Sequence, residues 1–145
     1  MARILAIDYG TKRCGIAATD SLQLIASPLQ AVKTSELLQF LQTYIGKEQV
    51  EAIVIGKPLQ NNGQPSIIEP QIQKFIKELM PKLNHIQLVR YDERYTSSLA
   101  IDALISSGTT RKQRQNKSLI DVTSATIILQ SFLQEKEILK QRQSS

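Results

Sequence analysis

Three acidic residues stand where folding alone gives them little reason to be. Asp8 closes a short apolar run, Ile4 to Ile7, and is followed by Gly10 and Gly15 bracketing Lys12 and Arg13. Glu93 follows a later apolar run, within Asp92-Glu93-Arg94. Asp121 lies beside Leu119, Ile120 and Val122, and helical spacing puts it on one face with Lys117, Ser124 and Ala125. Burying an unpaired carboxylate is expensive, so Asp121 calls for a cation: Lys117 one turn earlier, Arg94 or a metal ion. If the three acids converge, they repel one another unless a divalent ion neutralises them. Mg²⁺ suits such a site through hard oxygen ligands, few protein groups and a substrate phosphate completing the shell. Two ions roughly 3.5–4 Å apart can activate a water and stabilise the leaving oxygen of a phosphodiester. Each acid also has a plain structural reading. Asp8 suits a turn that bonds its own backbone, and Glu93 and Asp121 suit the first turns of helices, where the dipole favours them. Convergence is what separates the two.

The elements that must position these acids can be read in order. Ile4 to Ile7 and Ile16 to Ala18 are short apolar runs joined by glycine-containing residues, which predicts a hairpin with Asp8 where a buried strand reaches the surface. Leu22 to Val32 alternates and contains Pro28, which predicts an edge strand. A helix follows, with Leu37, Leu38, Leu41 and Ile45 at helical spacing, Ser35 as its N-cap and Gly46 as its C-cap. Val50 to Ile55 reads as a strand covered on both faces, ending in Gly56-Lys57-Pro58. The stretch from Lys57 to Pro65 is irregular. Ser66 to Met80 predicts a helix with a Ser66-to-Glu69 capping box and a buried stripe of Ile68, Ile72, Phe75, Ile76 and Leu79. Ile86 to Tyr91 reads as a third buried strand. A helix capped by Thr96 or Ser97, an exposed basic loop from Thr109 to Ser118, and a last helix from Leu119 to Leu139 complete the chain. The expected organisation is one domain over residues 1–139 and a polar, frayed tail over 140–145. An antiparallel ribbon followed by parallel strands with crossover helices makes an α/β sheet with helices on its faces.

Composition narrows the functional classes. The chain has 145 residues, enough for one sizeable core, and its single cysteine, Cys14, excludes an internal disulfide and a multi-cysteine zinc site. Cys14 reads as a small core residue rather than a nucleophile. No signal-peptide pattern or membrane-length apolar run is present, so the expected location is the cytoplasm, with no membrane partner. The net charge of +5 favours a polyanionic partner, nucleic acid first. Lys12 and Arg13 on the hairpin, Arg94 after Glu93, and Arg111, Lys112, Arg114 and Lys117 before the last helix are the groups placed to hold phosphates. Arg13 has an alternative use, bracing Asp8 or Asp20 in an ion pair. Tyr9 and Tyr95 adjoin the acids and read as packing residues, and the lone His85 marks a strand entrance.

Four motifs in order, Asp8-x-Gly10-x-x-Arg13-x-Gly15, Gly56-x-Pro58, Asp92-Glu93-Arg94-x-Thr96 and Lys117-x-x-x-Asp121 with Ala125 and Ile128-Leu129-Gln130, resemble the YqgF family over nearly the whole chain. Its members are also described as pre-16S rRNA nucleases or Holliday-junction-resolvase-like proteins. The resemblance implies a ribonuclease H-like fold with a mixed five-stranded sheet. It also implies an acidic metal site mapping onto Asp8, Glu93 and Asp121, and a nuclease maturing the 5′ end of 16S rRNA. The older family label, junction resolution in DNA, is the alternative substrate. The family's usual Ala-Ala after the last Asp is Ser124-Ala125 here, and its motif after Gly56-x-Pro58 is loosely kept.

The expected activity is therefore metal-dependent phosphodiester hydrolysis with Mg²⁺ or Mn²⁺ on RNA or branched DNA, by a monomer or a homodimer. Two rivals remain. A binding-only module would hold nucleic acid without cutting it. A nucleotide-binding module is suggested by Asp8-Tyr9-Gly10-Thr11, which resembles the first phosphate loop of the actin and sugar-kinase group, but the chain is too short for two lobes.

Overall fold

The computed structural model describes residues 2–58, 63–64, 66–92, 108 and 116–144. Five strands form one mixed sheet: β1 (Arg3–Asp8), β2 (Arg13–Thr19), β3 (Ala26–Lys33), β4 (Val50–Lys57) and β5 (Gln87–Asp92), in the order β3-β2-β1-β4-β5. β1 pairs antiparallel with β2 and parallel with β4, β2 pairs antiparallel with β3, and β4 pairs parallel with β5. The helices are α1 (Leu37–Lys47), α2 (Glu69–Leu79) and α3 (Lys117–Ser144).

Side-chain alternation divides the sheet into two cores. Leu5, Ile7, Cys14, Ile16, Ile53 and Ile55 face one way, where they meet Leu37 and Leu41 of α1 and Ile72, Phe75 and Leu79 of α2. Ile4, Ala6, Ala17, Ala52 and Val54 face the other way, against Ala125, Ile128 and Leu129 of α3. The small residues on that second face admit one long helix close to the strands. This is the α/β architecture expected for a ribonuclease H-like fold, a mixed five-stranded sheet with helices on both faces.

Several boundaries differ from the sequence reading, each for a visible reason. Ser35 does not cap α1: Thr34–Glu36 form a 3-10 turn, and the Thr34 hydroxyl donates to the Gly10 carbonyl at 2.7 Å. Gly46 lies inside α1, which ends one turn after Tyr44 with the Glu48 N–H on the Tyr44 carbonyl. The Ser66 capping box does not form, and α2 starts at Glu69. The Ser66 carbonyl accepts the Glu69 N–H at 3.0 Å, and the Glu69 side chain turns to Arg90 instead. β3 is the edge strand that Pro28 announced, but it begins at Ala26, because Asp20 Oδ1 accepts the Leu24 and Ile25 N–H groups and holds the preceding residues in a turn. β5 is a second edge and is half-buried rather than fully buried. The last helix starts two residues before Leu119, where Asn116 Oδ1 accepts the Ser118 and Leu119 N–H groups, and it continues past Leu139 to Ser144. The helix expected from Thr96 or Ser97 and most of the basic loop lie outside the described residues.

An apolar strand pattern gave no warning of the ion pair under β5. Arg90 Nη2 donates to Glu69 Oε1 at 2.7 Å and Nη1 to Oε2 at 3.3 Å, while Nε and Nη2 reach the Ile55 and Gly56 carbonyls at 3.3 and 3.1 Å. The guanidinium thus ties the start of α2 to the end of β4. Removing one partner of a buried pair costs about 3–5 kcal/mol. Glu69→Ala is therefore expected to lose about 3 kcal/mol in urea unfolding, and adding Arg90→Met is expected to restore part of it. A loss below about 1 kcal/mol would show the pair to be energetically idle.

Candidate nuclease site

The carboxyl ends of the parallel strands bring Asp8, Lys57 and Asp92 to one edge of the sheet, with β4 between β1 and β5. Asp8 is the last residue of β1 and stands opposite Gly15 in the β1–β2 ladder. Its parity is that of Ile4 and Ala6, the face that α3 covers. Asp121 comes to the same place through its main chain. A Cβ on Gly15 would run into the Asp121 carbonyl and lie 2.6 Å from the Val122 nitrogen. Gly15 is thus the contact on which α3 seats, and it puts Asp8 and Asp121 on either side of one glycine. Gly10 has the separate job of closing the turn, since a Cβ there would strike the Arg13 carbonyl. The glycine-containing hairpin turn is thus closed at Gly10, whereas Gly15 lies within β2 and serves helix packing.

The electrostatics carry the same juxtaposition. Burial pushes the Cys14 thiol above its ordinary value, and the charges of both Asp8 and Asp121 raise it further, against hydrogen bonds to Thr34 and the Gly10 carbonyl that lower it. Cys14 is fully buried and stays a neutral thiol, a core residue as its type suggested.

Arg13 supplies the cation that Asp121 required. Its Nε lies 2.9 Å from Asp121 Oδ2, each side chain being about three-tenths exposed. The N–H direction does not line up for a hydrogen bond, so the contact is ionic. The expected partners differ: Arg13 was assigned to phosphate or to Asp8 or Asp20, and Asp121 to Lys117, Arg94 or metal. The strand register explains the change, because Arg13 shares a face with Gly15, two residues on, and so points at the helix seated there. Asp20 is occupied with its own turn, where backbone N–H groups hold its carboxyl below the usual carboxylate range. Lys12 is exposed on the turn, whose shape is fixed by the Thr34 N–H on the Lys12 carbonyl at 3.0 Å.

Glu93, Arg94, Arg111, Lys112 and Arg114 lie outside the described residues, as does the side chain of Lys117. The structure therefore brings together Asp8, Asp121, Arg13 and Lys12 of the expected set. No group of three metal-ligating side chains occurs among the described residues. Asp8 and Asp121 are nonetheless hard oxygen donors at a solvent-facing strand end, a donor set that suits Mg²⁺ or Mn²⁺ better than softer metals. Sequence reasoning missed Lys33, which pairs directly with Arg13 across β2 and β3. Its signal was the turn itself, since a two-strand ribbon folded at Ser21 to Ile25 must return its far end to Arg13. Ser124, standing where the family has Ala, is buried with no hydrogen-bond partner for its hydroxyl among the described residues.

Comparison with known proteins bears on this geometry. The chain is 48% identical to a Christiangramia forsetii protein named "Putative pre-16S rRNA nuclease", over 93% of this chain and all of that one. It is 49% identical to a Phocaeicola vulgatus protein of the same name, over 96% of this chain and all of that one. Among solved structures, one described as "T. thermophilus RuvC in complex with Holliday junction substrate" aligns with a TM-score of 0.49 at 14% identity, covering 86% of this chain and 92% of that one. No helix among the described residues is long and apolar enough to cross a membrane. A family model described as "RuvX: Holliday junction resolvase" matches residues 2–135, and the chain belongs to that family, the YqgF family of its four motifs.

Proposed function

We propose that the protein is a nuclease that hydrolyses phosphodiester bonds at the edge of the sheet where β1 ends. The observation that carries this reading is the placement of Asp8 and the Asp121 main chain on either side of Gly15. Two carboxylates from distant parts of the chain, one on a strand end and one on a seated helix, are the hard oxygen donors that a divalent cation takes. Asp8 and Asp121 would hold Mg²⁺ or Mn²⁺ together with Glu93, and the ion would supply activation of the attacking water and neutralisation of charge at the leaving oxygen.

The chain's own groups do the rest. Asp8 is fixed by the β1–β2 ladder, so its carboxylate needs little reorganisation when substrate arrives. Arg13 balances the charge of Asp121, and with Lys12 it holds backbone phosphates without reading bases. Tyr9, the next residue, turns its ring to the opposite face against Phe75, 5.4 Å between centroids, and receives the Gln71 amide at 3.2 Å. It anchors the strand end rather than the substrate.

The substrate favoured is the 5′ end of precursor 16S rRNA, which the names of the close relatives support. The test is cleavage with Mn²⁺ of a ribosomal precursor end against a four-way DNA junction. Preferential cutting of the precursor end is expected. Cutting of the junction alone would replace the substrate, and cutting of neither, with RNA still bound, would reduce the protein to a binding module.

A further inference from the structure

A cleft of about 460 Å³ opens beside the candidate site on the ribbon side, lined by Lys12, Arg13, Lys33, Ser35 and Ser118. Three cations meet there. Arg13 and Lys33 are direct cross-strand partners, and like charges placed so destabilise a sheet unless an anion lies between them. Asp121 meets Arg13 at 2.9 Å. Lys12 and Lys33 are exposed and have no ion-pair partner among the described residues. The two hydroxyls line the same cleft, and Ser118 begins the first turn of α3, whose N–H groups already have Asn116 as acceptor. The cleft thus offers side-chain donors, and none of its described lining residues is an acid.

We propose that this cleft seats a backbone phosphate of the nucleic-acid strand, away from the bond that is cut, with Lys33 and Lys12 as its cations and Ser35 and Ser118 as neutral donors. The proposal rests on the nuclease reading, and it adds a direction: the bound strand leaves the site across β2 towards the β3 edge. Arg13 connects the two places, since it lines the cleft and touches Asp121. The cleft is partly open to solvent, which lets a chain continue through it.

The test is binding of a fluorescein-labelled RNA stem with a single-stranded extension, in EDTA so that nothing is cut, across a KCl series. Each phosphate neutralised contributes about 0.7–0.9 to the slope of log affinity against log salt. Lys33→Gln and Lys12→Gln are each expected to lower that slope by about this amount and to weaken binding about eightfold at 0.1 M salt. Lys82→Gln, an exposed control in the 3-10 turn that follows α2, is expected to leave the slope unchanged. An unchanged slope for Lys33→Gln overturns the proposal, and so does an equal fall for Lys82→Gln, which would reveal a net-charge effect. Inorganic phosphate that saturates the cleft by NMR while the RNA slope ignores Lys33→Gln would mark a free-anion pocket and overturn it too. Because no cleavage is read, a Lys33-dependent slope in a protein that cuts nothing would overturn the nuclease reading alone.

Discussion

Asp8→Asn is expected to cut substrate at least about a thousandfold more slowly while folding as the parent does. Asn keeps the shape and one acceptor oxygen but loses the charge, and three decades of rate correspond to about 4 kcal/mol of transition-state stabilisation. That is the scale a metal ligand supplies. The ladder pairing of Asp8 with Gly15 is made by the backbone and survives the change. Single-turnover cleavage in Mn²⁺ and thermal unfolding on the same preparation read the two effects separately. Cutting at the parent rate, with contaminating nuclease excluded, would end the assignment of Asp8. Asp121→Asn makes a useful contrast. It is expected to lose cleavage equally, but it also removes the acid that Arg13 meets. That pair is partly exposed, so its loss is expected to cost no more than about 1 kcal/mol.

The second large effect belongs to a residue without a side chain. Gly15→Ala puts a methyl where the Asp121 carbonyl and the Val122 nitrogen already are. Those atoms are main chain within a helix and cannot swing aside, so the helix must lift from β2 or the strand must sink into the opposite core. Overpacking of this kind costs about 3 kcal/mol, which in a domain of this size lowers Tm by about 6–12 °C. The same displacement moves Asp121 relative to Asp8, and a misplacement of about 1 Å can cost a hundredfold in rate. Gly15→Ala is thus expected to lower stability and cleavage together, where Asp8→Asn lowers cleavage alone. A Gly15→Ala protein with unchanged Tm would show that α3 does not rest on Gly15.

Much of this was legible before any coordinates. The apolar runs at Ile4, Ile16 and Val50 became strands buried on both faces, and Pro28 marked an edge, because those signals depend on local burial and backbone chemistry. The stripe of Ile72, Phe75 and Leu79 faced the core as its spacing required. What failed were details decided across the sheet. Glu69 suited a capping box until Arg90, on a strand read as apolar, offered a stronger partner. Arg13 had three plausible partners, and only the ladder register and the seating of α3 select Asp121. The role of Gly15 was invisible for the same reason: a glycine in a hairpin motif already has a sufficient local explanation. Asp8 and Asp121 could be nominated singly, whereas their meeting depends on a helix far away in sequence docking on one residue.

That docking has a consequence for when the protein becomes whole. Chains are synthesised from the N-terminus, and their early segments begin to fold first. β1 and β2 precede α3 in the chain, so Asp8 and Gly15 are made well before the helix that seats on Gly15. A nascent chain that has not reached Asp121 therefore carries Asp8 without it. The same holds for a chain broken off before Asp121. Asp8 and Asp121 therefore share one neighbourhood only after α3 has been made, and Gly15 is the residue on which that helix lands.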